Sequence, residues 1–177
     1  MGSKDLHRLL NEQCLELFPM DNQETEAKGL SIEQKCQMLE LTTDRINYLK
    51  DHKPEEFDGD IDLDNYNTSY EHIDVSKIVG YGNHDPDSWY DALSDEVCHK
   101  TINFEKYDSK SFPGYINSEM STDLPSVIES DGKYYICGGG THRLTIAKLT
   151  GCERAYVAVH RKERYDIKGE KDESTRI

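Results

Sequence analysis

The chain has 177 residues, 35 % hydrophobic and 32 % charged, and a formal net charge of −14. Its length suits one domain with a core plus an appended element, and its composition excludes global disorder. The acidic balance opposes broad nucleic-acid binding, which needs basic surface, and no apolar run of about 18 residues suggests a membrane span. With no secretory signal pattern at the N-terminus, a cytoplasmic protein is expected.

The charge is uneven. Residues 1–140 carry 12 Lys+Arg against 29 Asp+Glu, whereas residues 141–168 carry 7 against 3. The basic stretch points to a small anionic ligand. Five cysteines (Cys14, Cys36, Cys98, Cys137, Cys152) are widely spread with no C-x-x-C pair, so reduced thiols are expected, with neither a disulfide framework nor a zinc site. The histidines likewise show no ligand spacing.

In chain order, Leu30–Lys50 has apolar residues at helical spacing, with Ser31 and Gln34 as a capping box; Thr42 and Thr43 interrupt it, so the segment reads as one helix or two short ones. Residues 51–70 are acidic and punctuated by Gly, Pro and Asn, which predicts a linker or surface loop. Its alternating Asp58, Asp60, Asp62 and Asp64 lack the glycine and glutamate register of an EF-hand. His72–Val79 predicts a strand, 80–88 a turn-rich stretch and Trp89–Val97 a short helix. Residues 99–123 carry no readable period.

Next come two β-rich runs, PSVIES and KYYIC, joined by Asp131-Gly132, a pair that favours a tight hairpin. After Gly138-Gly139-Gly140, residues 141–150 predict a helix with Thr141 as cap, Leu144, Ala147 and Leu149 facing a core, and Gly151 as terminator. AYVAVHRK predicts a final strand. The expected organisation is α+β: residues 1–65 a helical N-terminal arm with an acidic linker, 66–165 a domain with a small mixed sheet and packed helices, and 166–177 a polar tail.

A strand, a glycine-rich turn and a helix N-terminus together aim backbone N–H groups and the positive end of a helix dipole at one spot, where anions are stabilised. Glycines let a phosphate approach the main chain. His142 and Arg143 would add side-chain donors, and the guanidinium could engage phosphate oxygens bidentately. The candidate binding residues are therefore Gly138, Gly139, Gly140, Thr141, His142 and Arg143.

The segment GTHRLTIAKLTG also resembles the box of ParB proteins, approximately G-E-R-R-x-R-A-A-x-L-x-G, with Gly140, Arg143, Ala147, Leu149 and Gly151 in register. It resembles the G-G-C-H-R signature of sulfiredoxins at Gly139, Gly140, His142 and Arg143. The hairpin and the strand at HIDVSKIV are similar to those of the same superfamily, over roughly residues 70–162. The resemblance implies a ParB/sulfiredoxin-like fold that binds a nucleotide, ATP or CTP, with magnesium as an accompanying ion.

The departures from that pattern bear on activity. Thr141 stands where sulfiredoxins carry their cysteine, so sulfinic acid reduction is not expected. Cys137, four residues earlier, reads first as a small buried hydrophobe and only second as a displaced nucleophile. ParB proteins have a second arginine at His142 and a downstream DNA-reading domain, which is not expected here. Free-serine kinases of the superfamily, with a similar G-H-H-R form, use a carboxylate base; Asp85, Asp87 and Glu129 are candidates by position. An NTPase or phosphotransferase, a non-enzymatic interaction module whose N-terminal arm docks a protein partner, and a ParB-like nuclease all remain open.

Overall fold

The computed structural model describes residues 29–163 of the chain. Residues 1–28, most of the expected arm's N-terminal part, and 164–177, including the expected polar tail, lie outside them. Six strands form one mixed sheet: β1 (Glu55–Glu56), β2 (Tyr66–Asp74), β3 (Ile78–Tyr81), β4 (Ser126–Ser130), β5 (Lys133–Cys137) and β6 (Arg154–Lys162). Their order across the sheet is β1-β3-β5-β4-β6-β2. The pairs β1/β3, β3/β5 and β4/β6 are parallel; β4/β5 and β2/β6 are antiparallel. The described helices are α1 (Ile32–Met38), α2 (Thr43–Asp51), α3 (Ile102–Glu105), α4 (Phe112–Ile116) and α5 (Thr141–Thr150). The fold class is thus α+β with a mixed sheet.

The Leu30–Lys50 segment resolves into two helices. Ser31 and Gln34 close the capping box on α1, and Thr42 accepts from the Arg45 N–H to start α2. A β-region Thr42 and a left-handed Glu40 (φ 55°) separate the two, because a second N-cap requires extended backbone. Both helices contribute to the core that the sheet uses, through Cys36, Leu39 and Leu49.

One sheet face, carrying Ile73, Val127, Ile136, Val157 and Val159, packs on the helices. Central in that layer is α5, whose Leu144, Thr145, Ile146, Ala147 and Leu149 are each 0 % exposed. A helix buried nearly all round has protein on both sides. Its one buried hydroxyl in this group is satisfied: Thr145 Oγ1 lies 2.7 Å from the Tyr81 hydroxyl.

Several expectations are corrected here. The strand expected over His72–Val79 is two strands, because Asp74 accepts from the Ser76 N–H and turns Val75–Lys77 into a 3-10 turn. The last five residues of the expected linker are strand: residues 66–70 belong to β2. The rest runs from one sheet edge to the other, since β1 and β2 occupy opposite edges; on the way Phe57 packs on Tyr135, with ring centroids 5.1 Å apart. Trp89–Val97 is not an α-helix, and only Asp91–Leu93 forms a 3-10 turn. The reason is Lys35. Its fully buried ammonium donates to the Leu93 carbonyl (2.7 Å), the Cys98 carbonyl (2.8 Å) and Asp95 Oδ1 (2.8 Å), so the Leu93 carbonyl, which a helix would offer to the Val97 N–H, is held by a side chain and that N–H turns to Ser94 instead. Residues 99–123 hold α3 and α4, both too short to show a period in sequence.

The DG hairpin is as expected: Asp131 (φ 52°) and Gly132 (φ 75°) are both left-handed, the requirement of a two-residue type I′ connection. Replacing Lys35 with Met keeps the volume but strips two buried carbonyls of their donor. Urea unfolding of Lys35→Met is expected to show a loss of about 3 kcal/mol, on the cost of unsatisfied buried acceptors.

Candidate functional site

The glycine turn connects β5 to α5 at the carboxyl edge of the parallel pair β3/β5, where the segment after β3 also arrives: the Gly82 N–H donates to the Ile136 carbonyl at 2.8 Å. Gly138 and Gly139 are exposed, and Gly140 is buried. Gly140 is left-handed (φ 79°), and a Cβ there would lie 2.6 Å and 2.7 Å from Pro125 atoms. Glycine is therefore demanded twice at this position, by backbone conformation and by space. Gly138 is also left-handed (φ 61°), while a Cβ on Gly139 would meet nothing within 4 Å. The turn thus offers unobstructed main chain at Gly138–Gly139 before a ten-residue helix.

Thr141 is not the cap. Gly140 is the N-cap and Thr141 the first helical residue, its hydroxyl donating back to the Gly138 carbonyl at 3.1 Å. That bond closes the turn locally, as Ser and Thr side chains do.

The side chains of His142 and Arg143 point into the protein. His142 is 5 % exposed; its Nδ1 lies 3.2 Å from the Asn103 amide nitrogen, which donates, and its ring meets that of His99 edge-on at 4.8 Å. Arg143 is 7 % exposed. Its guanidinium donates to the Asp123 carbonyl at 2.7 Å and to Asp123 Oδ2 at 3.0 Å. One Nη sits 3.1 Å from where a Cβ on Gly140 would be, so the cation lies directly beneath the turn while fastening the Asp123 segment. Its local work is to join the turn, α5 and the 117–125 connection. The Arg143 side of this pair is buried, while the Asp123 carboxylate keeps contact with solvent.

The acidic candidates are dispersed. Asp85 is ion-paired with Lys53 at 3.0 Å. Asp87 is exposed in the same connection. Glu129 lies toward the hairpin end of β4 and is gripped by Arg161, which also binds Glu71 at 2.7 Å. The Arg161 guanidinium is held charged by its two carboxylates, and its bond lowers the Glu71 carboxyl from its usual range. The structure does not bring Glu129 to the turn.

Burial pushes the Cys137 thiol up to about 12 and that of Cys98 likewise to about 12, so both stay protonated and unreactive near neutrality. His84, in the segment after β3, is lowered by burial and by neighbouring His99. Together with His142 this places three imidazoles around the start of α5, a grouping that lies in three separate stretches of sequence. Among the described residues no three His, Cys, Asp or Glu side chains converge to hold a metal ion, and no helix is long and apolar enough to cross a membrane.

A cleft of 960 Å³ opens at the other end of α5, beside Lys148, Trp89 and Arg45. Next to Arg143 there is only a crevice of 10 Å³. Gly138 and Gly139 line neither of these. No protein-family model, curated protein or solved structure matches the chain.

The two neighbouring glycines should respond oppositely to alanine. Gly140→Ala is expected to lose at least about 2 kcal/mol of stability from left-handed strain and the Pro125 clash, and Gly139→Ala to change it by less than about 1 kcal/mol, compared by thermal unfolding. Arg143→Met, which removes the donor to the Asp123 carbonyl but leaves a solvent-reachable carboxylate, should cost about 1–2 kcal/mol in the same assay.

Proposed function

We propose that the chain binds a nucleotide, ATP or CTP, through its phosphates at the Gly138–Thr141 turn, on a ParB/sulfiredoxin-like fold. The observation that carries this reading is the turn itself. Exposed glycine main chain, left-handed on either side of Gly139, opens a ten-residue helix. The first-turn N–H groups of such a helix have no intrahelical acceptor, and the dipole adds positive potential there. Gly138, Gly139 and Thr141 supply main-chain donors, and the guanidinium beneath the turn is fastened to Asp123. Magnesium would enter with the nucleotide, bridging its phosphates.

Binding without turnover is the second reading, and the placement of the acids favours it. Asp85 and Glu129 are each committed to a cation, on Lys53 and on Arg161. A general base must come within hydrogen-bond reach of the hydroxyl or water it activates, and Glu129 lies away from the turn. In this reading the nucleotide acts as a ligand of an interaction protein rather than as a phosphoryl donor.

Isothermal titration of ATP and CTP with magnesium into the wild type and Gly139→Glu tests the site. The variant points a carboxylate into open space at the turn without a steric cost. Saturable wild-type binding, weakened at least about tenfold in the variant by the like charge and the blocked approach, is expected. A silent wild type, or a folded Gly139→Glu that binds as the wild type does, overturns the assignment. Phosphate release over many turnovers would replace the second reading with a hydrolase.

A further inference from the structure

We propose that the cleft at the C-terminal end of α5 is a binding site for a small organic dianion, held by Lys148, Arg45 and Arg154. It is independent of the glycine turn, which lies at the opposite end of the same helix.

The cleft has a volume of 960 Å³, and its wall mixes apolar side chains such as Leu49 and Val79 with cations. That mixture, an apolar bed with a few convergent charges, is the usual form of a small-molecule site. The chain has a net charge of −14, yet Arg45, Lys53, Lys148 and Arg154 all face this one space.

The charges lining it are not cancelled equally. Lys53 is paired with Asp85. Of the carboxylates, Glu55 is ion-paired with Lys133 (2.8 Å), whereas Asp74 accepts only from the neutral Ser76 N–H and hydroxyl and so keeps its charge, which acts on Lys148. Glu153 stands exposed on the rim. Among the described residues, Lys148, Arg45 and Arg154 have no carboxylate within ion-pairing distance.

Part of that positive charge has a structural role. Arg45 donates from Nε to the Leu149 carbonyl (2.9 Å) and from Nη2 to the Lys148 carbonyl (2.8 Å), capping the negative end of the α5 dipole. Those bonds leave Nη1 uncommitted. Lys148 Nζ donates to the Ser76 carbonyl at 3.0 Å and lies 5.6 Å from the Trp89 ring centroid; a neutral acceptor and an aromatic face orient the ammonium without neutralising it. Arg154, at the start of β6, is exposed. Burial, and after it the nearby Arg45, hold the Lys148 ammonium below its ordinary value against the opposing pull of Asp74. A dianion beside both cations would stabilise their charged forms, and a phosphate ester and a dicarboxylate share the required chemistry.

Trp89 is the sole tryptophan of the chain and lines the cleft, so its fluorescence reports on this site directly. The full chain is titrated with glycerol 3-phosphate, a phosphate ester, and, separately, with succinate, a dicarboxylate. A saturable change in Trp89 emission with either probe is expected, and which one acts names the ligand class. Half-saturation should rise at least tenfold in the double variant Lys148→Gln/Arg154→Gln and stay within twofold in Gly139→Glu. Arg154→Gln alone, at an exposed position, keeps the test decisive if the double variant does not fold, with at least a threefold weakening expected. Silence with both probes, an unchanged response in the folded cleft variants, or a response abolished only by Gly139→Glu overturns the proposal. Failure of the glycine turn to bind nucleotide leaves this outcome unaffected.

Discussion

Everything in this fold turns on the burial of α5. A ten-residue helix with five side chains at 0 % exposure gains several kcal/mol from apolar burial, but only if its terminal N–H and C=O groups find partners away from bulk water. At the N-terminus Asn103 and Asp123 hold the side chains of His142 and Arg143 and so fix the start of the helix. At the C-terminus Arg45 takes two carbonyls, Gly151 adopts the left-handed conformation, and the Cys152 N–H reaches the Ala147 carbonyl at 2.9 Å.

This arrangement also sorts the electrostatics. The dipole of a buried helix is poorly screened, so its ends remain polarised. The positive end is met by exposed glycine backbone, and the negative end by a group of cations that exceeds what capping alone requires. The two candidate sites are consequences of one element seen from its two ends, which is why they differ in kind: one a turn that presents main chain, the other a cleft that presents side chains.

How much of this could be read in the sequence depended on how local the cause was. The hairpin and α5 were legible because Asp131-Gly132 and the glycines flanking residues 141–150 act within a few positions of themselves. The division of α1 from α2 was half legible, through Ser31, Gln34 and Thr42. What escaped was set by contacts at long range. Lys35 replaces a helix over Trp89–Val97 by holding carbonyls some 60 residues away, at separations of 58 and 63. The inward turn of Arg143 is dictated by Asp123, and an isolated box cannot reveal whether its arginine faces ligand or protein. The cleft draws on α2, the β2–β3 junction, Trp89 and the end of α5, and no single stretch of sequence shows it.

The segment between β1 and β2 has a consequence of its own. The two strands are separated by nine residues in sequence but by the whole width of the sheet in space. Five interstrand spacings amount to about 24 Å. Ten peptide steps reach at most about 35 Å when fully extended, and the 3-10 turn at Leu63–Asn65 shortens that reach by a further few ångströms. The slack is roughly two residues. An acidic stretch that looks freely variable is thus a ruler: its composition can change widely, but its length is set by the number of strands it must cross.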